Sequence, residues 1–434
     1  MMHALVQFAA LVVAAAAPAV SHGSKPNIIV IVSDDAGYAD FSLQGGKHFP
    51  TPHIDSIAAN GARFTNGYVS APVCSPSRAG LITGRYQQRF GHELNILTAD
   101  PNIGLPVSEK TLADAMKAAG YRTIAVGKWH LGSGPQFHPL ERGFDDFYGF
   151  LSGGRSYFPN GGQAGKRMLR NHEPITEQFK YTTDEFGRQA AEYIRQNKDR
   201  PFFMYLAFNA VHAPHQALPS DIKKSQGKRK NLIAVTIALD RAVGTVLNEL
   251  KQQGIFENTL VVFVNDNGGP KLDGKKNDDG NNGPLRGFKG STWEGGIRVP
   301  FVVQWPARIP QGKLFDQPVI ALDIMPTAMA AAGIAVPPGQ PLDGVNLLPY
   351  LTGENAASPH EALCWRFGSQ WAVRQGDWKL VNDGGPRLFN LAKDIGEAHD
   401  LSRQEPDKLK QLQSAYSQWN ARNVPPKWQD GKHR

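Results

Sequence analysis

Four apolar runs, widely separated along the chain, restrict this sequence more than any other feature. They are residues 27–32 (NIIVIV), 121–126 (YRTIAV), 202–208 (FFMYLAF) and 260–264 (LVVFV). Runs this short and this rich in β-branched and aromatic residues read as strands buried on both faces. Helical patterns lie between them. Residues 108–119 read as a helix capped by Ser108, with Leu112, Ala115, Met116 and Ala119 on one face and Gly120 as its stop. Residues 232–252 read as a longer one, striped by Leu239, Val243, Val246, Leu247 and Leu250. Strands alternating with helices predict an α/β fold built on a large, mostly parallel sheet.

A chain of 434 residues exceeds what one core normally serves, so a large domain and a smaller one are expected. The small one is placed at 346–434. There Trp365, residues 371–374 and residues 378–381 alternate between Gly-containing turns and predict an antiparallel sheet, with a helix near 406–420. A hydrophobic content of 41% excludes a disordered chain. The formal charge of +8 suits a polyanionic partner: nucleic acid, anionic membrane or sulfated glycan. Residues 4–20 (ALVQFAALVVAAAAPAV) decide against nucleic acid, because they read as the core of an export signal spanning 1–22. The large domain is then 23–345. No later stretch reads as a stable membrane span. Two cysteines, Cys74 and Cys364, cannot form a disulfide framework, although one bridge between them is a use open to Cys74.

The polar residues after each run carry the chemistry. Ser33-Asp34-Asp35 comes after the first, Gly127-Lys128-Trp129-His130 after the second, Asn209-Ala210-Val211-His212 after the third, and Asn265-Asp266-Asn267-Gly268-Gly269 after the fourth. In parallel sheets, groups at the carboxyl ends of strands converge on one crevice. Singly, each cluster has an ordinary explanation as a cap, a turn or a surface pair. Together, three carboxylates and an amide oxygen form the hard donor set of calcium or magnesium, and lack the nitrogen and sulfur ligands that zinc prefers.

Cys74-Ser75-Pro76-Ser77-Arg78, followed by Thr83-Gly84-Arg85, resembles the signature of the type I sulfatases, in which C-x-P-x-R marks a cysteine oxidised to formylglycine. Asp34-Asp35, residues 127–132 (GKWHLG), Asp266-Asn267-Gly268-Gly269, residues 284–298 (PLRGFKGSTWEGGIR) and residues 388–401 are similar to further motifs of that family, in family order. The resemblance implies an alkaline-phosphatase-like fold and an exported sulfuric ester hydrolase. It further implies a maturation enzyme acting on Cys74, and a sulfate ester, a sulfated saccharide in the first place, as substrate.

Site residues follow from the same resemblance. Asp34, Asp35, Asp266 and Asn267, with the modified Cys74, match the metal ligands, for calcium first and magnesium second. Arg78 matches the arginine that orients the formylglycine hydrate, and Lys128 and Lys289 the lysines that hold sulfate oxygens. His130 matches the base that releases sulfate, and His212 the acid that protonates the leaving alcohol. Pro76 suits a first helical turn, which would set the helix dipole against an anion at position 74. Two other readings stand beside this one: a phosphate or phosphonate monoester hydrolase of the same superfamily, and a glycan-binding protein without turnover if Cys74 stays a thiol. Residues 149–158 hold Ser152, Arg155 and Ser156 as candidates near the sulfate. His92, His215 and residues 223–230 (KKSQGKRK) are candidates for a sugar subsite, the last reading better as a solvated loop. Residues 273–283 read as a loop beside the metal motif.

Overall fold

The computed structural model describes residues 25–429 except 48, 97–99, 160–166, 273–277, 337–338 and 340. The apolar run at 4–20 and the first part of the loop at 273–283 lie outside the described residues. The four predicted strands form, as Asn27–Ser33, Arg122–Lys128, Phe202–Ala207 and Thr259–Asn265. They join a ten-stranded sheet. At its centre Asn27–Ser33 pairs in parallel with Phe202–Ala207 on one side and Thr259–Asn265 on the other. Arg122–Lys128 and then Asp146–Phe150 continue the parallel order. Beyond Thr259–Asn265 the sheet turns antiparallel through Phe301–Gln304, which pairs next with Gly61–Phe64. The sheet is therefore mixed but mostly parallel at its core.

Alternate residues of the central strand serve two cores, the consequence of a period of two. Ile28, Val30 and Val32 pack with the Cys74–Thr83, Leu112–Ala118 and Ile324–Ala331 helices. Ile29 and Ile31 pack with Pro52–Ala59, Thr182–Asn197 and Lys230–Gln252. Lys230–Gln252 is long and apolar enough to cross a membrane by composition, but most of it is buried in this core. Every residue of the central strand and of Phe202–Ala207 is buried, which accounts for their unbroken apolar sequence.

The helix at 108–119 starts later than expected. Thr111, not Ser108, is its cap: the Thr111 hydroxyl accepts from the Asp114 N–H while the Asp114 carboxylate accepts from Thr111. That reciprocal pair satisfies two orphan donors at once, which a lone serine does not. The C-terminal sheet comprises Leu363–Phe367, Gln370–Gln375, Trp378–Asn382 and Pro386–Asn390, all antiparallel, with the Pro406–Asn420 helix packed against it. Its core includes Tyr68, Trp293 and Ile297 from the large sheet's side, so the two parts share one apolar interface.

Candidate active site

The strand register brings the polar clusters together. Ser33 pairs with Asn265 across the central ladder, so the residues after each leave the sheet side by side. Asn265 fastens them. Its Oδ1 accepts from the Ser33 hydroxyl at 2.7 Å and from Ala36 N–H at 3.2 Å, and its Nδ2 donates to the Ala36 and Asn267 carbonyls. Asp35 lies in the left-handed region at φ 64°, and its N–H donates to Asp266 Oδ1 at 3.2 Å. Gly268 is glycine for lack of room: a Cβ there would come within 1.8 Å of the Gly295 carbonyl oxygen.

Cys74 begins the Cys74–Thr83 helix, and its sulfur lies 3.6 Å from Asp34 Oδ1 and 3.9 Å from Asp35 Oδ1. It is reduced and buried, as is Cys364, so the bridge between them does not form. Burial pushes its thiol up to about 12, against the pull of Lys128 and Lys289. An unmodified thiol held neutral here is a poor nucleophile.

Three cations close around the carboxylates. Lys128 Nζ donates to Asp34 Oδ2 at 2.5 Å. Arg78 donates through Nε and Nη2 to Asp266 Oδ2, at 3.0 and 2.7 Å. Lys289 Nζ reaches Asp35 Oδ1 at 2.6 Å, Oδ2 at 2.8 Å and the Cys74 sulfur at 3.2 Å. Burial alone would raise the Asp34 carboxyl, but its cationic neighbours, Lys128 foremost, hold it below the usual range. Asp35 is likewise held low against burial, chiefly by Lys289. Asp266 goes the other way: burial, then the Asp34 charge, lift it to about 6.

The two histidines stand differently. His212 places Nε2 3.6 Å from Asp35 Oδ2 and donates Nδ1–H to the Ala213 carbonyl. That donation fixes its tautomer and leaves Nε2 toward the carboxylates. His130 takes a left-handed backbone at φ 56°, and its Nδ1 is buried without a partner among the described residues. Burial pushes it well below its ordinary value, with Lys128 adding to the effect, so the ring rests neutral. Residues 151–158 pack on both rings: a Cβ on Gly153 would meet His130 Nε2 at 2.6 Å, and one on Gly154 would meet His212 Cε1 at 3.3 Å.

Asp34, Asp35, Cys74 and His212 each offer an atom within 4.8 Å of the others. The carboxylate oxygens, joined by the neighbouring Asp266 carboxylate and Asn267 amide, suit a hard divalent cation, while the Cys74 sulfur and His212 nitrogen are the softer donors of the group. Asn267 Oδ1 is fully buried and lacks a hydrogen-bond partner among the described residues, an orphan acceptor beside Asp35 that a cation would satisfy. The structure thus brings together all ten candidate positions: Asp34, Asp35, Cys74, Arg78, Lys128, His130, His212, Asp266, Asn267 and Lys289.

Several secondary candidates land elsewhere. His92 and His215 are buried, His92 against Ser75 and His215 accepting the Asp278 N–H at 3.0 Å, so neither faces a sugar. Lys223, Lys224, Lys228 and Lys230 are exposed, as a solvated loop would be. Ser152 donates to the Gly154 carbonyl and Ser156 to Gln216. Arg155 is stacked near Phe150 and Phe179. Asn265 and Gly153 escaped sequence reasoning. Asn265 stood in view within the Asn-Asp-Asn cluster, but nothing distinguishes a fastening amide from a ligand by residue type.

The family model for sulfatases matches residues 26–334, and that for the C-terminal part of N-sulphoglucosamine sulphohydrolase matches residues 288–420. N-acetylgalactosamine-6-sulfatase of Canis lupus familiaris is 35% identical, over 89% of this chain and 84% of its own. Steryl-sulfatase of Rattus norvegicus is 33% identical, over 88% and 85%. Among solved structures, Ps i-CgsB in complex with k-i-k-neocarrahexaose is 38% identical with a TM-score of 0.88, covering 93% of this chain and 95% of that one. The PsFucS1 sulfatase from Pseudoalteromonas sp. is 26% identical with a TM-score of 0.81, covering 92% and 91%. Matches that run from the central strand into the C-terminal helix, at such identity and over most of the relatives' own length, allow one assignment: this chain belongs to the type I sulfatases of the alkaline phosphatase superfamily and is a sulfuric ester hydrolase.

Proposed function

We propose that this enzyme removes sulfate from a sulfated saccharide, using residue 74 matured to formylglycine and one divalent cation, calcium in the first place and magnesium as the alternative. The Cys74 sulfur stands where the matured residue would carry oxygen. The single observation that supports the reading most is the position of that sulfur, between Asp34, Asp35 and Lys289, at the start of a helix. An anion there meets a helix N-terminus as well as two lysines.

Hydration of the aldehyde supplies a hydroxyl nucleophile for sulfur and a second hydroxyl through which sulfate can later leave, an exit that serine or cysteine lacks. The cation would be held by Asp34, Asp35, Asp266 and Asn267 with residue 74, and supplies charge to polarise a sulfate oxygen. Lys128 and Lys289 bind sulfate oxygens and offset the charge that develops on them. Arg78, anchored on Asp266, orients the hydrate. His212 protonates the leaving alcohol oxygen from Nε2. Burial lowers its ordinary value, and the arriving sulfate anion favours its charged form. His130, neutral in its pocket, takes the proton from the remaining hydroxyl as sulfate departs.

The saccharide reading draws on the positive net charge and on relatives that act on, or were solved with, carbohydrates. Export to the periplasm or beyond is read from the apolar run at 4–20, and a maturation enzyme from the C-x-P-x-R resemblance at Cys74. The test is kinetic. Protein co-produced with a maturation enzyme is assayed on matched aryl sulfate and aryl phosphate, then on defined sulfated saccharides. Preferential sulfate release, lost in Cys74→Ala, is expected. Phosphate preferred over sulfate, or turnover undiminished by Cys74→Ala, would refute the reading.

A further inference from the structure

The catalytic roles leave unused a chain of contacts, buried at its Ser75 end, that reaches the Cys74 helix from the far end of the sequence. Val73 occupies the N-cap of that helix and brings no side-chain acceptor. Asn95 takes over the task, its Oδ1 accepting the Ser75 N–H at 3.1 Å. The Ser75 hydroxyl, fully buried, donates to the His130 carbonyl at 2.7 Å and lies 2.7 Å from His92 Nε2. A hydroxyl has one proton and a carbonyl can only accept, so His92 must donate from Nε2. Its Nδ1 is then a bare lone pair, and it is the atom without a partner among the described residues. Burial, pushing the ring down to about 3, keeps it in that neutral form.

The loop carrying His92 and Asn95 is held from the C-terminal tail. The Trp428 ring meets His92 edge-on, with centroids 4.7 Å apart. Its indole N–H is shared between the Leu94 and Asn95 carbonyls, at 3.1 Å each. Val424 N–H donates to Gln88 O at 3.0 Å and Lys427 N–H to Gly91 O at 2.9 Å. Arg366 ties the same loop to the C-terminal sheet through Glu93, at 2.6 Å. These tail residues lie past residue 420, where both family matches have ended.

We infer that His92 and Trp428 are positioning residues of the sulfatase centre: Trp428 fixes His92 and Asn95, and these fix Ser75, the first turn of the Cys74 helix and the left-handed backbone of His130. Neither touches substrate. The inference rests on the sulfatase reading, because it assigns value to where residue 74 and His130 are held. Small displacements of reacting groups lower rates far more than they lower affinity.

The test uses matured full-length protein with an aryl sulfate, and compares His92→Phe, His92→Gln and Trp428→Phe with the parent after melting temperatures confirm folding. His92→Phe keeps an aromatic ring, somewhat larger than the imidazole, and loses the donor; kcat is expected to fall about 10-fold or more with KM little changed. The His92→Gln amide can donate to Ser75 and is expected to restore most of the rate. Trp428→Phe keeps the aromatic face, and is expected to lower kcat severalfold and raise hydrogen exchange across residues 91–95 and 128–132. Parent-like kcat in both Phe variants, or a change in KM alone, would overturn the inference. If His92→Phe fails to fold, Trp428→Phe decides by the same criteria. A parent without turnover would refute the sulfatase reading separately. Exchange in Trp428→Phe would then still decide the positioning claim, unchanged protection at 91–95 counting against it.

Discussion

Gly153 shows how much of the chemistry depends on absent atoms. A methyl group at that position would stand 2.6 Å from both Cε1 and Nε2 of His130, closer than any contact a Cβ normally makes. Gly153→Ala should therefore tilt the imidazole and lower kcat about 10- to 100-fold with little change in melting temperature. Steady-state kinetics and a thermal melt check both halves. The carboxylates invite a second prediction. Asp34, Asp35 and Asp266 are buried close together, and Asp266 is raised to about 6 by burial and the neighbouring Asp34 charge. A bound divalent cation relieves that repulsion, so chelation should abolish turnover and lower the melting temperature, and added calcium should restore both. At 100-fold excess over Kd, ligand binding to the folded state contributes about 2.7 kcal/mol. A melt unmoved by chelator and by calcium would contradict this assignment of the donor set.

At the scale of elements, the site is an outcome of strand register. Asn265 is the last residue of its strand, and it ties the Asp34-Asp35 loop to the Asp266-Asn267 loop. Asn265→Ala would leave the Ser33 hydroxyl and Ala36 N–H buried without partners, a loss of about 2–4 kcal/mol. Denaturant titration measures it, and a loss under about 1 kcal/mol would count against the fastening role. The strand centres were legible because both faces of Asn27–Ser33 and Phe202–Ala207 are buried, which leaves an unbroken apolar signature. Their ends were not, since Ser33, Lys128 and Asn265 are polar yet continue the ladder. Thr111 took the cap from Ser108 for a local reason, the aspartate three residues on. The candidate residues could be named from motifs, but the left-handed backbones of Asp35 and His130 and the Asn95 cap depend on contacts between segments far apart in sequence.

The whole molecule joins its two parts through buried charge. Lys379 of the C-terminal sheet is fully buried between Glu294, at 2.8 Å, and Glu397, at 2.9 Å. Glu294 also accepts from the Tyr68 hydroxyl at 2.7 Å and from Arg298. It lies five residues after Lys289, so this network braces the loop that carries a catalytic candidate. One lysine serves two carboxylates. Glu294 is lowered to about 2 despite burial, Lys379 leading, while burial and the Glu294 charge raise Glu397 to about 7 even with Lys379 alongside. A carboxyl raised on folding binds its proton more tightly in the folded state. Its contribution to stability is therefore full below its ordinary value of 4.5 and is lost as pH rises through about 7. Glu397→Gln removes that loss, so its melting temperature relative to the parent should climb between about pH 5 and pH 8. A constant difference across that range would show that Glu397 is ionised throughout.

The most direct measurement is mass spectrometry of the peptide containing residue 74, taken from active protein made with and without a maturation enzyme. An aldehyde in place of the thiol side chain, with turnover rising in proportion to its fraction, is the predicted result. Full activity from a peptide that carries only an intact cysteine would contradict the account.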